Sequence, residues 1–228
     1  MGKMTELDLI LTGQTESHIH WLAPKLGIHH EMLIAFKKLQ VAAKTANIDL
    51  SIASGFRSFE RQLLIWQNKY SGNSVIKDAA NKPLALEQLS ECEKIHAIML
   101  FSALPGASRH HWGCDIDVYA KNLLPAEQSL ALEPWEYQVS GHFYPLTVWL
   151  AEHAKEFGFF LPYDKFRGGV AQEPWHLSYL PLSQYYQQSF TEALLAKTLL
   201  NSNIQGKALI LELLPELYQR YIVNVANA

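Results

Sequence analysis

Imidazole and carboxylate groups stand on either side of a glycine in SRHHWGCDID, the segment at residues 108–117. If a strand begins after Gly113, Asp115 and Asp117 project from one face while the apolar residue between them faces the core. A turn at the glycine can bring the ring of His110 back over that polar face. The segment therefore predicts one half of a metal site, in which one imidazole and one carboxylate converge.

A glutamate and another histidine stand close together in EPWH, the segment at residues 173–176. In a flat strand Glu173 and His176 face opposite ways, but Pro174 interrupts strand pairing and permits a kink that lets both serve one site. Two histidines and one carboxylate leave the fourth position of tetrahedral zinc open to water, and zinc lowers the pKa of that water to about 7. Glu173, if it is not a ligand, is then the general base that takes the proton and returns it to the leaving amine.

An arginine follows a predicted strand in SGFRS, the segment at residues 54–58, and a glutamine stands shortly after it at Gln62. The guanidinium of Arg57 can stabilise the oxyanion of a tetrahedral intermediate, or it can pair in fork geometry with a substrate carboxylate. Both roles suit a carboxypeptidase. A helix cap or a surface ion pair explains Arg57 equally well on spacing alone, so these interpretations stay open at this point.

Other candidate ligands in these segments have competing interpretations. His111 adjoins His110, but adjacent side chains diverge, which makes His111 the weaker candidate. Asp115 shares a face with Asp117 and is either a ligand or, in better agreement with its position, a hydrogen-bond acceptor that orients a ligand. The isolated histidines are expected to have structural or surface roles. They are His96, His142 and His153.

The elements that must position these groups follow from hydrophobic periodicity and from turn residues. Apolar residues at three- and four-residue spacing predict amphipathic helices, and alternation predicts strands. Helices are predicted at about 30–47, from Ser58 toward Tyr70, at 84–104, at 144–157, and in the tail from Tyr185 onward as two helices divided near 201–206. Strands are predicted at 48–54, 114–119 and 175–179, and a polar surface loop at 71–83.

The composition of the 228-residue chain is that of a soluble globular protein, with 49% hydrophobic and 18% charged residues. A net charge of -3 without a basic run argues against nucleic acid as a partner, and two cysteines, reduced by default, do not make a disulfide scaffold. No stretch is long and apolar enough for a membrane span, and no secretory signal is visible. The expected location is therefore the cytoplasm, or the periplasm if a native leader is missing.

We expect one domain over residues 1–228, with a motif-bearing core at about 30–186 and helices at about 187–226.

The three segments together resemble the signatures of the VanY-type D-alanyl-D-alanine carboxypeptidases, zinc peptidases grouped with VanX-type dipeptidases and the Hedgehog-like fold. The family pattern is SGYRS with a later Q, then SxHxxGxAxD, then ExWH. The matches are Ser54, Gly55, Arg57, Ser58 and Gln62, then Ser108, His110, Gly113 and Asp117, then Glu173, Trp175 and His176. Two positions depart from the pattern, since Phe56 replaces a tyrosine and Asp115 replaces an alanine and adds negative charge near the metal.

The resemblance implies an α+β fold in which a small antiparallel sheet forms the floor of a zinc cleft flanked by helices. It implies one zinc ion per chain, and its spacing selects Asp117 over Asp115 as the carboxylate ligand. The implied roles are zinc ligands for His110, Asp117 and His176, catalytic base for Glu173, transition-state stabiliser for Arg57, and substrate binding for Ser108 and Gln62.

The activity implied by the resemblance is hydrolysis of the bond that holds the terminal D-alanine of peptidoglycan stem peptides. For a cytoplasmic enzyme we expect L,D-carboxypeptidase action on recycled tetrapeptides, in which that D-alanine follows the L-centre of a diamino acid. The alternatives are D,D-carboxypeptidase action on pentapeptides, an endolysin-like endopeptidase, and a wall-peptide-binding domain without catalysis. The expected partner is a peptidoglycan-derived peptide, and the sequence does not indicate the oligomeric state.

Overall fold

The computed structural model describes residues 3–226, in which two antiparallel sheets are surrounded by helices. The smaller sheet is a hairpin of β1 (Ile19–Ala23) and β2 (Leu26–His29). The larger sheet contains β3 (Leu50–Ser54), β4 (Asp115–Ala120), β5 (Phe159–Phe160) and β6 (His176–Tyr179), in the order β3-β4-β6-β5 with every pair antiparallel. The prediction of an α+β fold with a small antiparallel sheet is confirmed.

The helices surround the larger sheet and extend to the end of the described chain. They are α1 (Glu6–Leu11), α2 (Leu33–Thr45), α3 (Phe59–Tyr70), α4 (Glu91–Met99), α5 (Pro134–Tyr137), α6 (Tyr144–His153), α7 (Leu180–Ser189), α8 (Glu192–Leu200), α9 (Lys207–Glu212) and α10 (Leu214–Leu217). A π-helical turn, Tyr218–Ile222, follows α10. Within residues 3–226, no helix combines the length and the apolar character that crossing a bilayer requires.

The register of the larger sheet brings the three sequence segments together. β4 pairs with β6 so that Asp117 lies opposite His176, and it pairs with β3 so that Asp117 lies opposite Ser54. The pairing of β3 is irregular between Ile52 and Ser54, where the strand approaches the SGFRS segment. One end of the sheet therefore carries residues from all three segments.

The opposite face of β4 anchors the strand in the core. Ile116 and Val118 are fully buried in a hydrophobic cluster that includes the apolar face of α2, formed by Phe36, Leu39 and Ala43. These α2 residues recur at the three- and four-residue spacing that an amphipathic helix requires. Burial of this apolar surface holds β4 firmly beneath the polar groups that it presents to the site.

The hairpin supports two of the motif turns. The backbone N–H of His29 donates to the carbonyl of Gly113 at 2.8 Å, and the N–H of Phe56 donates to the carbonyl of Gly27 at 2.7 Å. A Cβ atom at Gly55 would lie 2.2 Å from the Gly27 carbonyl oxygen, so this close approach of two backbones requires glycine. The hairpin and α1 were not among the predicted elements. Neither strand of the hairpin shows the alternating burial by which strands are predicted.

Most predicted elements are confirmed, namely α2, β3, α3, β4, α6 and β6, but the long helix predicted at 84–104 is wrong. The helix found there, α4, starts late because Ser90 caps it and Glu93 completes a capping box. The chain then leaves the helix early and runs beside α3, where the side chain of Gln62 donates to the carbonyl of Ala103 at 2.7 Å.

The C-terminal region is interrupted between α8 and α9, at the predicted position near residues 201–206, but the helices α7 to α10 replace the two that were predicted. Thr191 starts a separate helix, α8, by accepting the N–H of Leu194, and Gly206, with a φ of 76°, precedes α9. The expected boundary between the motif-bearing core and the C-terminal helices, near residue 187, falls inside α7. The tail also reaches the functional site, since Tyr221 lines the cleft described below.

Candidate active site

The turn before β4 is determined by a glycine. A 3₁₀ turn, Arg109–Trp112, leads into Gly113, whose φ of 67° lies in the left-handed region. A Cβ atom at Gly113 would lie 2.4 Å from Ile19 Cδ1, so both the conformation and the space favour glycine. As predicted, the turn places the ring of His110 over the polar face of β4.

Three side chains converge at this end of the sheet. His110 Nε2 lies 3.4 Å from Asp117 Oδ2, and His176 Nδ1 lies 3.4 Å from Asp117 Oδ1. One ligand atom from each of the three residues lies within 4.8 Å of the others, and all three side chains are buried. The structure thus brings the three predicted metal ligands together as a candidate metal site.

The other ring nitrogen of each histidine is already occupied. His110 Nδ1 lies 3.0 Å from the carbonyl oxygen of Gly55, and His176 Nε2 lies 3.1 Å from Asp115 Oδ1. Because carbonyl and carboxylate oxygens only accept, each of these nitrogens must donate its hydrogen. In the neutral form of each ring, the free lone pair is therefore on His110 Nε2 or His176 Nδ1, the atoms that face Asp117.

The carboxylate of Asp117 lacks a full set of partners. Its Oδ1 atom is buried and accepts no hydrogen bond from residues 3–226, which is costly for a charged group. Burial alone would raise the pKa of Asp117, but His110 and His176 outweigh burial and hold that pKa well below its usual range. Burial lowers the pKa of His176, but the hydrogen bond to Asp115 and the negative charge of Asp117 raise it well above its ordinary value. A pocket of carboxylates and imidazole nitrogens of this kind fits a divalent metal ion, which takes the place of the proton on His176 when it binds.

Asp115 is a hydrogen-bond acceptor, the role that its position favoured. Its side chain is fully buried, and its Oδ1 atom accepts from Arg109 Nε at 2.7 Å as well as from His176. The Arg109 guanidinium also donates to Gln187 at 2.6 Å and to Ser178 at 3.0 Å. Sequence reasoning missed this arginine, because its partners come from β4, β6 and α7, which only the fold brings together.

The kink predicted in the EPWH segment is confirmed. The backbone N–H of His176 donates to the carbonyl of Glu173 at 3.1 Å, which closes a turn through Pro174. The turn places Glu173 Oε2 at 3.3 Å from His176 Nδ1, and 12% of the Glu173 side chain is exposed. Glu173 therefore stands beside the ligands and lines the cleft, where a general base must be.

Arg57 lies at the same cleft and is held from two sides. Its Nη1 atom donates to Gln62 Oε1 at 2.9 Å, and its Nη2 atom donates to Ser54 Oγ at 3.4 Å. Burial lowers the pKa of Arg57, and the charges of Asp117 and Glu173 oppose that shift. The guanidinium thus belongs to the acidic site, and the interpretation as a cap or surface group is wrong.

The two residues predicted to bind substrate occupy different positions. Ser108 lines the cleft beside His110. Gln62 is fully buried next to Arg57, bonds the carbonyl of Ala103 with its amide nitrogen, and does not line the cleft. The observed contacts of Gln62 position Arg57, and direct contact of either residue with substrate stays a prediction.

The histidine next to His110 supports the backbone. His111 Nδ1 lies 2.5 Å from the carbonyl oxygen of Arg57, and its Nε2 atom accepts the N–H of Gly106 at 3.1 Å. With both ring nitrogens bonded, His111 has no lone pair to offer a metal. Its side chain diverges from that of His110, as expected for neighbours in sequence.

The ligands open into a cleft of about 300 Å³. Residues outside the motifs contribute to its walls, and three of them are Lys69 at the end of α3, Tyr163 in the loop before the EPWH segment, and Tyr221 in the π-helical turn. The ring of Tyr163 contacts His176 edge-on, with ring centroids 5.0 Å apart. Of these three, only Lys69 could have been predicted from the sequence, because it lies two helical turns beyond Gln62 on the same face of α3.

Three protein ligands at the floor of an open cleft leave a coordination position for water or substrate, which is typical of a catalytic metal site. A carboxylate that can move a proton and a cation that faces the ligands are the further groups that peptide-bond hydrolysis requires. The fold and the site therefore define a metal-dependent hydrolase of the peptidase class.

Comparisons with known proteins narrow this class to a family. The family profile described as VanY, D-alanyl-D-alanine carboxypeptidase, matches residues 25–182. The chain belongs to this VanY family of peptidoglycan-peptide carboxypeptidases. An uncharacterized protein of Haemophilus influenzae is 41% identical over 122 residues, which cover 53% of this chain and 93% of that protein.

Solved structures share the fold. VanYB in complex with D-alanine-D-alanine has a TM-score of 0.53 at 21% identity, covering 83% of this chain and 91% of that chain. A VanY D,D-pentapeptidase mutant in complex with Zn(II) has a TM-score of 0.51 at 23% identity, covering 83% and 99%. The LdcB LD-carboxypeptidase has a TM-score of 0.50 at 24% identity, covering 75% and 69%. At these identities the similarity shows the fold alone.

Proposed function

We propose that the chain is a zinc-dependent carboxypeptidase that releases the terminal D-alanine of peptidoglycan stem peptides. The observation that carries this proposal is the buried carboxylate of Asp117, whose Oδ1 atom lacks a hydrogen-bond partner in residues 3–226. Its Oδ1 atom faces His176 Nδ1 and its Oδ2 atom faces His110 Nε2, each at 3.4 Å. His110, Asp117 and His176 would hold zinc, which two histidines and one carboxylate suit. The Zn(II) bound to a VanY mutant and the D-alanine-D-alanine bound to VanYB support this choice of metal and of substrate class.

The residues of the cleft divide the work of hydrolysis among them. When bound, zinc supplies a Lewis acid that polarises the scissile carbonyl and lowers the pKa of water to about 7. Glu173 accepts a proton from the attacking water and returns it to the leaving amine of D-alanine. Arg57, held by Gln62 and Ser54, donates to the carbonyl oxygen as negative charge develops on it.

Contacts behind the ligands prepare the site before substrate arrives. The carbonyl of Gly55 and the carboxylate of Asp115 hold the two histidine rings in one orientation and one tautomer. Arg109 in turn holds Asp115. Ligands that are held in place in this way lose little freedom when the metal and the substrate bind.

We favour the tetrapeptide as substrate, cut by L,D-carboxypeptidase action, together with a cytoplasmic location. Recycled stem peptides in the cytoplasm end in one D-alanine that follows the L-centre of a diamino acid. The fold is compatible with this choice, because it is shared by VanYB and by the LdcB LD-carboxypeptidase.

The wild-type protein loaded with zinc should release free D-alanine from a muramyl tetrapeptide. Its kcat/KM for the tetrapeptide should exceed that for the pentapeptide by at least about tenfold, because a misfit next to the scissile bond costs about 1–3 kcal/mol. Chromatographic assay of D-alanine with both substrates measures this ratio, and a Glu173→Gln protein prepared in parallel controls for contaminating peptidases. Exclusive cleavage of the pentapeptide would contradict the tetrapeptide preference, and release of internal fragments without free alanine would contradict carboxypeptidase action altogether.

A further inference from the structure

The C-terminal segment, residues 218–226, lies beyond residue 182, where the match to the family profile ends, and still reaches the cleft. It begins as the π-helical turn, Tyr218–Ile222. Two residues of this turn, Tyr221 and Ile222, line the cleft. π-Helical turns are rare and are frequent at functional sites, which makes the C-terminal segment a candidate for a role in catalysis.

The C-terminal segment holds the loop at residues 161–172, which precedes the EPWH segment. Three loop carbonyls accept hydrogen bonds from it, donated by Arg220 Nε to Gly168 at 2.7 Å, by Asn224 Nδ2 to Arg167 at 2.9 Å, and by the N–H of Ala226 to Pro162 at 2.9 Å. The two backbones also touch at Gly169, where a Cβ atom would lie 2.0 Å from the carbonyl oxygen of Arg220. The loop is therefore fixed near its start and again at residues 167–169.

The loop is bonded in turn to the residues of the proposed reaction. The carbonyl of Tyr163 accepts the N–H of Glu173 at 3.0 Å, and the carbonyl of Glu173 accepts the N–H of His176 at 3.1 Å. The ring of Tyr163 also packs edge-on against the ring of His176. A continuous series of contacts thus runs from the C-terminal segment through the loop to the proposed base and to one metal ligand.

A second connection reaches the same ligand from behind. Gln187 Nε2 donates to the carbonyl of Ile222 at 3.5 Å, and Gln187 Oε1 accepts from Arg109. Arg109 holds Asp115, which orients the ring of His176. The 3.5 Å bond is long, so the loop is the stronger of the two connections.

We infer that the C-terminal segment is a positioning element of the active site, through the bonds of Arg220 and Asn224 to the loop. By holding the loop it keeps Glu173 and His176 in place. The inference goes beyond the proposed function, on which only its kinetic part rests. Exposed loops open readily when few contacts hold them, and Phe166 in this loop is 54% exposed. Because a displacement of about 1 Å can cost about 10²-fold in rate, bonds remote from the chemistry can control kcat.

Trypsin cleavage after Arg167 measures whether the C-terminal segment holds the loop. The carbonyl that trypsin attacks there is the one that accepts from Asn224, so cleavage requires the loop to open. The double variant Arg220→Met with Asn224→Ala loses two hydrogen bonds and should be cleaved at this position about 10- to 100-fold faster than the wild type. Asn224→Ala alone should show a smaller change in the same direction. Arg220→Lys, which keeps a donor, and Gln219→Ala, an exposed position on the same turn, should be cleaved at close to the wild-type rate.

Two measurements on the same proteins, each shown by circular dichroism to be folded, test whether the held loop acts on the site. The double variant should bind zinc about 10-fold more weakly, the lower end for residues that support a ligand, and its kcat for D-alanine release should fall by about 10- to 100-fold. Unchanged cleavage after Arg167, or faster cleavage with unchanged zinc affinity and kcat, would overturn the inference. Faster cleavage with weaker zinc binding, in a chain whose wild type releases no D-alanine, would support the positioning role and overturn the proposed function.

Discussion

Replacing Glu173 with glutamine is expected to lower kcat for D-alanine release by about 10²- to 10⁴-fold, the usual contribution of a positioned acid–base group. Glu173 Oε2 stands 3.3 Å from His176 Nδ1, within reach of a water that attacks a carbonyl at the ligands. Glutamine keeps the shape of the side chain but cannot take the proton. Because the ligands are other residues, the zinc content should stay at one ion per chain, which metal analysis of the same sample measures.

The matched control for this variant is Glu133→Gln, another carboxylate that lines the same cleft. Glu133 is neutralised by Lys77 and also accepts from Asn81 at 2.6 Å, so it is not available to take a proton from water. Its replacement should leave kcat close to that of the wild type. A Glu173→Gln protein that keeps wild-type kcat with zinc bound would show that another group is the base.

Replacing Arg109 with methionine is expected to destabilise the fold by about 3–5 kcal/mol, the cost of leaving a buried charge without its partner. Arg109 and Asp115 are 5% and 0% exposed, and their ion pair is 2.7 Å long. The charge of Asp115 opposes the lowering of the Arg109 pKa by burial and raises it above the ordinary value, so the pair is ionised at neutral pH. Urea denaturation of the metal-free proteins at pH 7 measures the change in the free energy of unfolding.

Two further variants test whether the lost charge pair causes this effect. Arg61→Met removes an exposed arginine and should change the free energy of unfolding by no more than about 0.5 kcal/mol. The double variant Arg109→Met with Asp115→Leu removes both charges and should recover part of the stability, while zinc affinity stays about 10- to 100-fold weaker because His176 loses its acceptor. A double variant no more stable than Arg109→Met would assign the loss to packing.

The metal ligands could be predicted because each half of the site is local in sequence. Gly113 sets a turn that folds His110 over Asp117 only a few residues away, so spacing and residue type determine the geometry. Pro174 likewise sets the turn that brings Glu173 to His176. The two halves meet because β4 pairs with β6. The resemblance to a known family implied that the ligands form one site, but residue spacing alone did not.

The supporting residues could not be predicted because their partners are distant in sequence. Arg109 bonds side chains of β4, β6 and α7, and Tyr221 reaches the cleft from the end of the chain. The predicted end of the helix at 84–104 was wrong for a similar reason. Residues 102 and 103 bond side chains of α3, and these contacts hold the chain outside a helix there. Its start could have been predicted, because Ser90 followed by Glu93 is the pattern of a capping box.

The most direct test of a zinc carboxypeptidase site at His110, Asp117 and His176 is the dependence of D-alanine release on zinc. Chelation should abolish release from the stem peptide by the wild type, and one equivalent of zinc per chain should restore it. Asp117→Ala should neither retain zinc nor regain activity, because it loses the carboxylate between the two histidines. Full activity in the metal-free wild type, or no release of D-alanine from any stem peptide by the zinc-loaded wild type, would contradict the account.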